Sequence, residues 1–391
     1  MKKKNLIFLL GNLTAFGPFV TDFYLPCLPE LTAFFSATPS LVQLSITAGM
    51  IGLAAGQLLI GPISDKYGRK RPLLVCLVLF VLSTLGCMIS TDIHTFVAFR
   101  LLQGLTGASG LVISKVIISD SFSGEDTARY FAILAAVQGI APIVAPVAGG
   151  LAYKLTSWQG AFALLGIWAV ALLFMCRKMR ESLPAEERLT LPIWGTFRNY
   201  GPVICNSRYS VMNLLQGFAT AALMAYIAAS PFVFQQHFGL TPFRYSLCFA
   251  CNALGLVIGS SVVIKMKDLR KVISMSVAGL FVTGGLTAAA LLAGWSFLLF
   301  EVFLFLMLFA VGMINPVAVT LALGSVKENR GAAAALVGAL PFLFGGIIAP
   351  LTGLGNIVRS MAFLIVLSVL ICVVLWLISR KWKYEETENR R

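Results

Sequence analysis

The sequence predicts an all-α membrane protein of twelve transmembrane helices, arranged as two pseudo-symmetric six-helix bundles. Three observations predict it. Hydrophobic residues make up 58% of the 391 residues and charged residues only 12%, whereas a soluble domain carries about 25% charged residues. Twelve apolar stretches can be read along the chain, each long enough to cross a hydrocarbon core at roughly 20 residues per span. Lysine and arginine then collect on one side of the resulting topology. A soluble enzyme, a nucleic-acid binder and a disordered protein are poor readings on these grounds. The net charge of +14 reads as basic residues held at a cytoplasmic face, and no nucleic-acid partner is expected.

Spans 1 to 6 are read at 5–27, 41–64, 72–91, 95–118, 129–153 and 157–176, and spans 7 to 12 at 209–235, 242–264, 271–293, 295–324, 332–353 and 359–379. The opening Met1 and three lysines before an apolar run imitate a signal peptide. Similar segments follow throughout, so an uncleaved first span is the better reading. The polar interval holds Arg177, Lys178, Arg180, Glu181, Glu186, Glu187, Arg188, Arg198 and Arg208 with Pro184 and Pro192. It divides the chain into a bundle at 1–176, a cytoplasmic linker at 177–208 with one short interfacial helix near 194–200, and a second bundle at 209–391. With the N-terminus inside, only Lys154, Arg244 and Arg359 among the 30 basic residues fall outside, and Arg100 and Lys115 fall within a span. Both termini are therefore expected in the cytoplasm, and the protein in the bacterial inner membrane.

Metal and redox chemistry find little support. Most of the eight cysteines lie in or at the ends of apolar runs, as inert small hydrophobes do. Cys248 and Cys251 have metal spacing but no second pair, and the two histidines, His94 and His237, lie near loops. No metal, no cofactor and no enzymatic activity are expected.

Several motifs point to transport. Between spans 2 and 3, Gly61, Asp65, Gly68, Arg69 and Lys70 form a tight basic loop, in which Asp65 is expected to hold the end of another helix through Arg129 or through the start of span 11 near Arg330. On span 4, Arg100, Gln103, Gly107 and Ser114 share one helix face. On span 5, Gly139, Pro142, Pro146, Gly149 and Gly150 let helices approach closely and bend. Asn213, Gln216 and Thr220 make a polar stripe on span 7, and Glu301, Gly312 and Asn315 another on span 10. A polar stripe on a spanning helix faces the bundle interior or a wet cavity.

These motifs resemble those of the major facilitator superfamily. The loop 2–3 pattern matches its G-x-x-x-D-[RK]-x-G-[RK]-[RK] signature, and Arg100 to Gly104 is similar to its R-x-x-Q-G motif. The span 5 glycines and prolines resemble the motif of its drug/proton antiporters. Asp22, Tyr24, Leu25, Pro26 and Pro29 look like the D-x-Y-L-P-x-L-P of the Bcr/CflA exporters. The second-half counterpart of the loop signature, Gly259 to Lys271, keeps basic charge without the pattern. The resemblance implies a fold in which spans 1, 4, 7 and 10 surround a central cavity. It also implies that Tyr24, Gln103, Asn213, Gln216, Thr220 and Asn315 line that cavity.

Depth sharpens the expectation. Asp22 sits about five residues from the outer end of span 1, roughly 7–8 Å in, and Arg100 and Glu301 lie at a similar level from the opposite chain direction. Asp22, Arg100 and Glu301 are therefore expected to converge as the proton-coupling group, while Lys115 snorkels or pairs with Asp120. The reading is a monomeric proton-coupled multidrug antiporter that exports small amphipathic, drug-like compounds by alternating access. A proton-coupled metabolite symporter is the alternative, and a non-transporting membrane receptor a more distant one.

Overall fold

A computed structural model describes residues 3–188, 200–264, 266, 268–326 and 329–381. Among them twelve helices are long and apolar enough to span a membrane. Spans 1 to 6 are Lys3–Phe34, Pro39–Tyr67, Lys70–Ile89, Ile93–Ser121, Arg129–Leu155 and Trp158–Arg177. Spans 7 to 12 are Ser207–His237, Pro242–Ile264, Leu269–Leu292, Phe297–Gly324, Gly331–Thr352 and Ile357–Ser379. The expected interfacial helix near 194–200 lies outside the described residues except for Tyr200, and a short helix is described at Tyr200–Ile204.

The sequence punctuates these helices with caps. The first free N–H groups of a helix need an acceptor, which short polar side chains supply. Thr38, Asp92, Ser157, Asn206, Asp268 and Asn356 each accept from a backbone N–H in the first turn of spans 2, 4, 6, 7, 9 and 12. Span 1 ends its regular helix at Asp22 and continues through a short turn at Leu25–Cys27 into a second helix, Leu28–Phe34. Span 7 passes Pro231 and finishes as a π-turn at Val233–His237.

Within the first six spans, span 4 packs on spans 1, 2 and 3; within the last six, span 10 packs on spans 7, 8 and 9. Small residues make the closest crossings possible. A Cβ on Gly52 would strike the carbonyl oxygen of Leu101, and one on Gly104 that of Gly49. A Cβ on Gly259 would likewise strike Phe309 O, and one on Gly312 would strike Leu256 O. Spans 2 and 8 thus meet spans 4 and 10 backbone to backbone, as small residues allow in lipid.

The two sets of six meet mainly through spans 2 and 11 and spans 5 and 8. On the face away from the termini the junction is tied by hydrogen bonds. Gln43 Nε2 donates to Ala228 O (3.0 Å), Ser40 Oγ to Pro350 O (3.2 Å) and Gln235 Nε2 to Pro26 O (3.3 Å). On the face that carries the termini, a cavity of about 590 Å³ separates Gly61, Pro62 and Asp65 on span 2 from Gly331, Ala332 and Ala335 on span 11. The molecule is closed on one face and parted on the other.

Candidate functional site

A central cavity of about 610 Å³ lies between the two sets of helices. It shares Lys115 and Gly338 with the cavity at the termini face, so the two are continuous. Its wall is largely apolar: Met50, Met224, Leu223, Phe249 and Phe342 contribute, with Pro18 and Pro142 where spans 1 and 5 carry prolines. Few polar side chains interrupt it. Asp22, Gln138, Gln216, Thr220 and Asn315 line the wall. Buried oxygens of Gln216, Thr220 and Asn315 have no hydrogen-bond partner. A buried polar atom left unpaired costs about 1–3 kcal/mol, so these three atoms are waiting for water or ligand.

Asp22 is 6% exposed and belongs to this wall. Its expected pairing with Arg100 is not formed. The depth was right: Arg100 Nη2 donates to Val20 O at 2.9 Å. The direction was not, because two residues further along a helix turn the side chain through about 200°. Val20 faces span 4, against Gly107, and Asp22 faces the cavity. Arg100 is wholly buried inside the first six helices. Its Nη1 donates to Gln103 Oε1, and its guanidinium lies over the Tyr24 ring, 4.2 Å from the centroid. Gln103 in turn donates to Thr84 Oγ1 (2.7 Å), and Tyr24 OH meets Ser45 Oγ (3.0 Å).

Other expected positions also move. Tyr24, Gln103 and Asn213 do not line the cavity; the first two hold Arg100, and Asn213 Nδ2 donates to Tyr209 OH at 3.3 Å. Glu301 is outside the wall too. It accepts from Asn252 Nδ2 (3.0 Å), which also reaches Tyr226 OH (3.2 Å), and Tyr226 does face the cavity. The expected three-charge cluster is thus replaced by one acid on the wall, an arginine buried beside it and a second acid one shell behind.

Near the termini face, Arg69 is 5% exposed and gathers the loop 2–3 signature. It donates to Asp65, to Ser64 Oγ (2.9 Å) and to Asp120 (2.9 Å). Asp65 therefore pairs with Arg69 rather than with Arg129, which is exposed at the start of span 5; the Arg330 side chain lies outside the described ones. Asp120 is taken by Arg69 and Ser182, not by Lys115. Gly68 holds φ at +86°, where a Cβ would be strained and would stand 2.6 Å from Glu181 Oε2. Glu181 caps span 3 by accepting from the backbone N–H of Arg69 (2.7 Å) and of Lys70 (3.1 Å). Nothing in the sequence signalled that role, since Glu181 is one acid in a charged linker. Lys70 Nζ binds Arg177 O (2.8 Å).

Span 5 divides by position. A Cβ on Gly149 would collide with Phe23 O, and one on Gly150 with Ser246 Oγ of span 8. Pro142 lines the cavity, Pro146 is inside the helix, and a Cβ added at Gly139 or at Gly61 would enter open space.

Comparison with known proteins agrees with this architecture. The sequence matches the profile of the Major Facilitator Superfamily over residues 7–350. It is 36% identical over 361 residues to the uncharacterized MFS-type transporter YdgK of Bacillus subtilis (strain 168), covering 90% of this chain and 89% of that one. A bicyclomycin resistance protein homolog of Haemophilus influenzae is 28% identical, with 92% and 90% covered. The multidrug transporter MdfA of Yersinia pestis is 27% identical, with 82% and 80% covered. Among solved structures, the partially occluded, inward-open xylose transporter XylE from E. coli superposes with a TM-score of 0.77 at 15% identity, covering 99% of both chains. At that identity the likeness speaks for the fold alone.

Proposed function

The chain belongs to the Major Facilitator Superfamily, and from that premise we propose that it is a proton-coupled antiporter exporting small amphipathic compounds. The observation that carries the reading is the central cavity: a large apolar wall with one carboxyl group, Asp22, on it and several polar atoms left unpaired. A cavity for a sugar would be expected to present a dense polar set. Loose packing against Met and Phe side chains suits substrates of varied shape. The sequence likeness to resistance and multidrug transporters supports the same reading.

In this proposal the termini face is cytoplasmic, the membrane is the bacterial inner membrane and the unit is a monomer. Compounds enter from the cytoplasm through the gap beside Gly61 and Lys115. Asp22 holds either a proton or the contact with substrate, so arrival of one releases the other. Closing the inner gap brings Gly61 and Pro62 against Gly331, Ala332 and Ala335, all small enough for close approach. The outer ties at Gln43, Ser40 and Gln235 break at the same time, and the cavity opens outward. The ion-paired cluster at Arg69 stays with spans 2, 3 and 4 and keeps the inner end of that group rigid while it rocks.

Everted vesicles from a pump-deleted strain test the reading. An established pH gradient should collapse when a hydrophobic cation such as ethidium is added, and Asp22→Asn should abolish the collapse. A gradient that forms on substrate addition, with substrate moving alongside the proton, would identify a symporter instead.

A further inference from the structure

Lys115 is absorbed by none of this. It is an exposed cation within span 4, and it lines both the central cavity and its continuation to the termini face. Among the described residues it has no ion-pair or hydrogen-bond partner, because Asp120 is engaged by Arg69 and Ser182. A lysine in a span is expensive unless it meets water or an anion, and this one faces the space between the two helix groups rather than lipid. With Asp22 it supplies the only formally charged side chains on the described wall of the central cavity.

Their spacing can be measured against the helices. Thr14 Oγ1 of span 1 meets Ser114 Oγ of span 4 at 2.9 Å, which fixes a common level. Asp22 stands eight residues, about 12 Å, beyond Thr14, and Lys115 adjoins Ser114 on the other helix. The two spans run in opposite directions, and helix side chains lean toward their own N-terminus. Asp22 therefore leans toward the level of Lys115, and Lys115 toward that of Asp22. Allowing for the length of a lysine side chain, the two charges lie roughly 6–12 Å apart along the cavity. Met50, Met224, Phe249 and Phe342 supply apolar and aromatic surface on the same wall.

We propose that this cavity selects amphoteric substrates, with a cationic group at Asp22, a flat apolar body between, and a carboxylate or similar anion at Lys115. The proposal rests on Asp22 being open to substrate, as in the export reading, and adds the substrate class. A cation-only compound would leave Lys115 uncompensated; an anion-only compound would do the same for Asp22. A zwitterion neutralises both.

Binding to the purified full-length protein in nanodiscs tests this with three probes: 4′-(aminomethyl)biphenyl-4-carboxylic acid, its methyl ester and its N-acetyl derivative. Wild type should bind the zwitterion more tightly than either blocked form. Lys115→Gln should weaken the zwitterion about tenfold, or about 1.4 kcal/mol, and leave the ester unchanged, and Lys115→Arg should restore it. Asp22→Asn should weaken the zwitterion and the ester but spare the N-acetyl acid. Equal losses for all three probes in Lys115→Gln, no preference for the zwitterion in wild type, or no binding of any probe would each overturn the proposal. The export reading would survive those outcomes, since the vesicle assay with ethidium decides it separately.

Discussion

Spans 4 and 10 occupy corresponding places in their own groups of six helices, and each carries one charged residue near its start, toward the face away from the termini. Gly52 and Gly56 press on Leu101 and Leu105 as Gly255 and Gly259 press on Phe305 and Phe309. One turn earlier on the partner helix, Gly49 and Asn252 therefore correspond. Gly49 makes room for Arg100, since a Cβ there would stand 2.9 Å from Nη2. Asn252 instead reaches out to Glu301. The cation is held by Gln103, the Val20 carbonyl and the Tyr24 ring. The anion has a single donor, and its Oε2, like Arg100 Nε, is buried without a hydrogen-bond partner.

The same asymmetry recurs at the termini face. Arg69, Asp65, Asp120 and the linker residue Glu181 knit the first group together. At the matching place in the second group, Asp268 caps span 9 and lies 3.8 Å from an exposed Lys271. Among the described residues, equivalent backbones thus carry different side-chain networks in the two halves. The lesson is that repeat symmetry fixes where helices cross, while side chains decide how firmly each half keeps its shape.

Substitutions can break this comparison. Arg100→Ala should do the most damage. It strips partners from Gln103 Oε1 and Val20 O and opens a void, at a cost of about 3–5 kcal/mol. A large fall in melting temperature in detergent would be read, and a fall no greater than that of Glu301→Ala would refute the contrast. Arg69→Ala should cost about 2–3 kcal/mol by leaving Asp65 and Asp120 without their shared cation. Because Arg69 is buried, that loss should persist in high salt, where an exposed pair would be screened. Glu301→Gln keeps the carbonyl that Asn252 donates to and removes a half-partnered charge, so stability should change by less than about 1 kcal/mol. Lys271→Ala should leave the melting temperature unchanged, because its partner is exposed and distant. A sizeable loss there would mean that this pair supports the second group at the termini face.

The twelve spans were legible in the sequence because length and hydropathy are properties of a single helix, summed residue by residue. So was depth: a fixed rise of about 1.5 Å per residue placed Asp22 and Arg100 at one level, and the Arg100 bond to Val20 O agrees. Azimuth was not legible. Whether Asp22 turns to Arg100 or to the cavity depends on which neighbour abuts each side of span 1, and that is settled by packing between distant segments. Tyr24 and Gln103 went to Arg100 for the same reason, Asn213 went to Tyr209, and Asp65 found Arg69 four residues on instead of Arg129. Glu181 and Lys115 mark the limit in opposite ways. Glu181 acquires a role only because the linker folds back on span 3, while Lys115 acquires one only because two cavities meet beside it. Partition into the membrane is decided by each helix against its solvent, and the meaning of a charge within it by the helices that surround it.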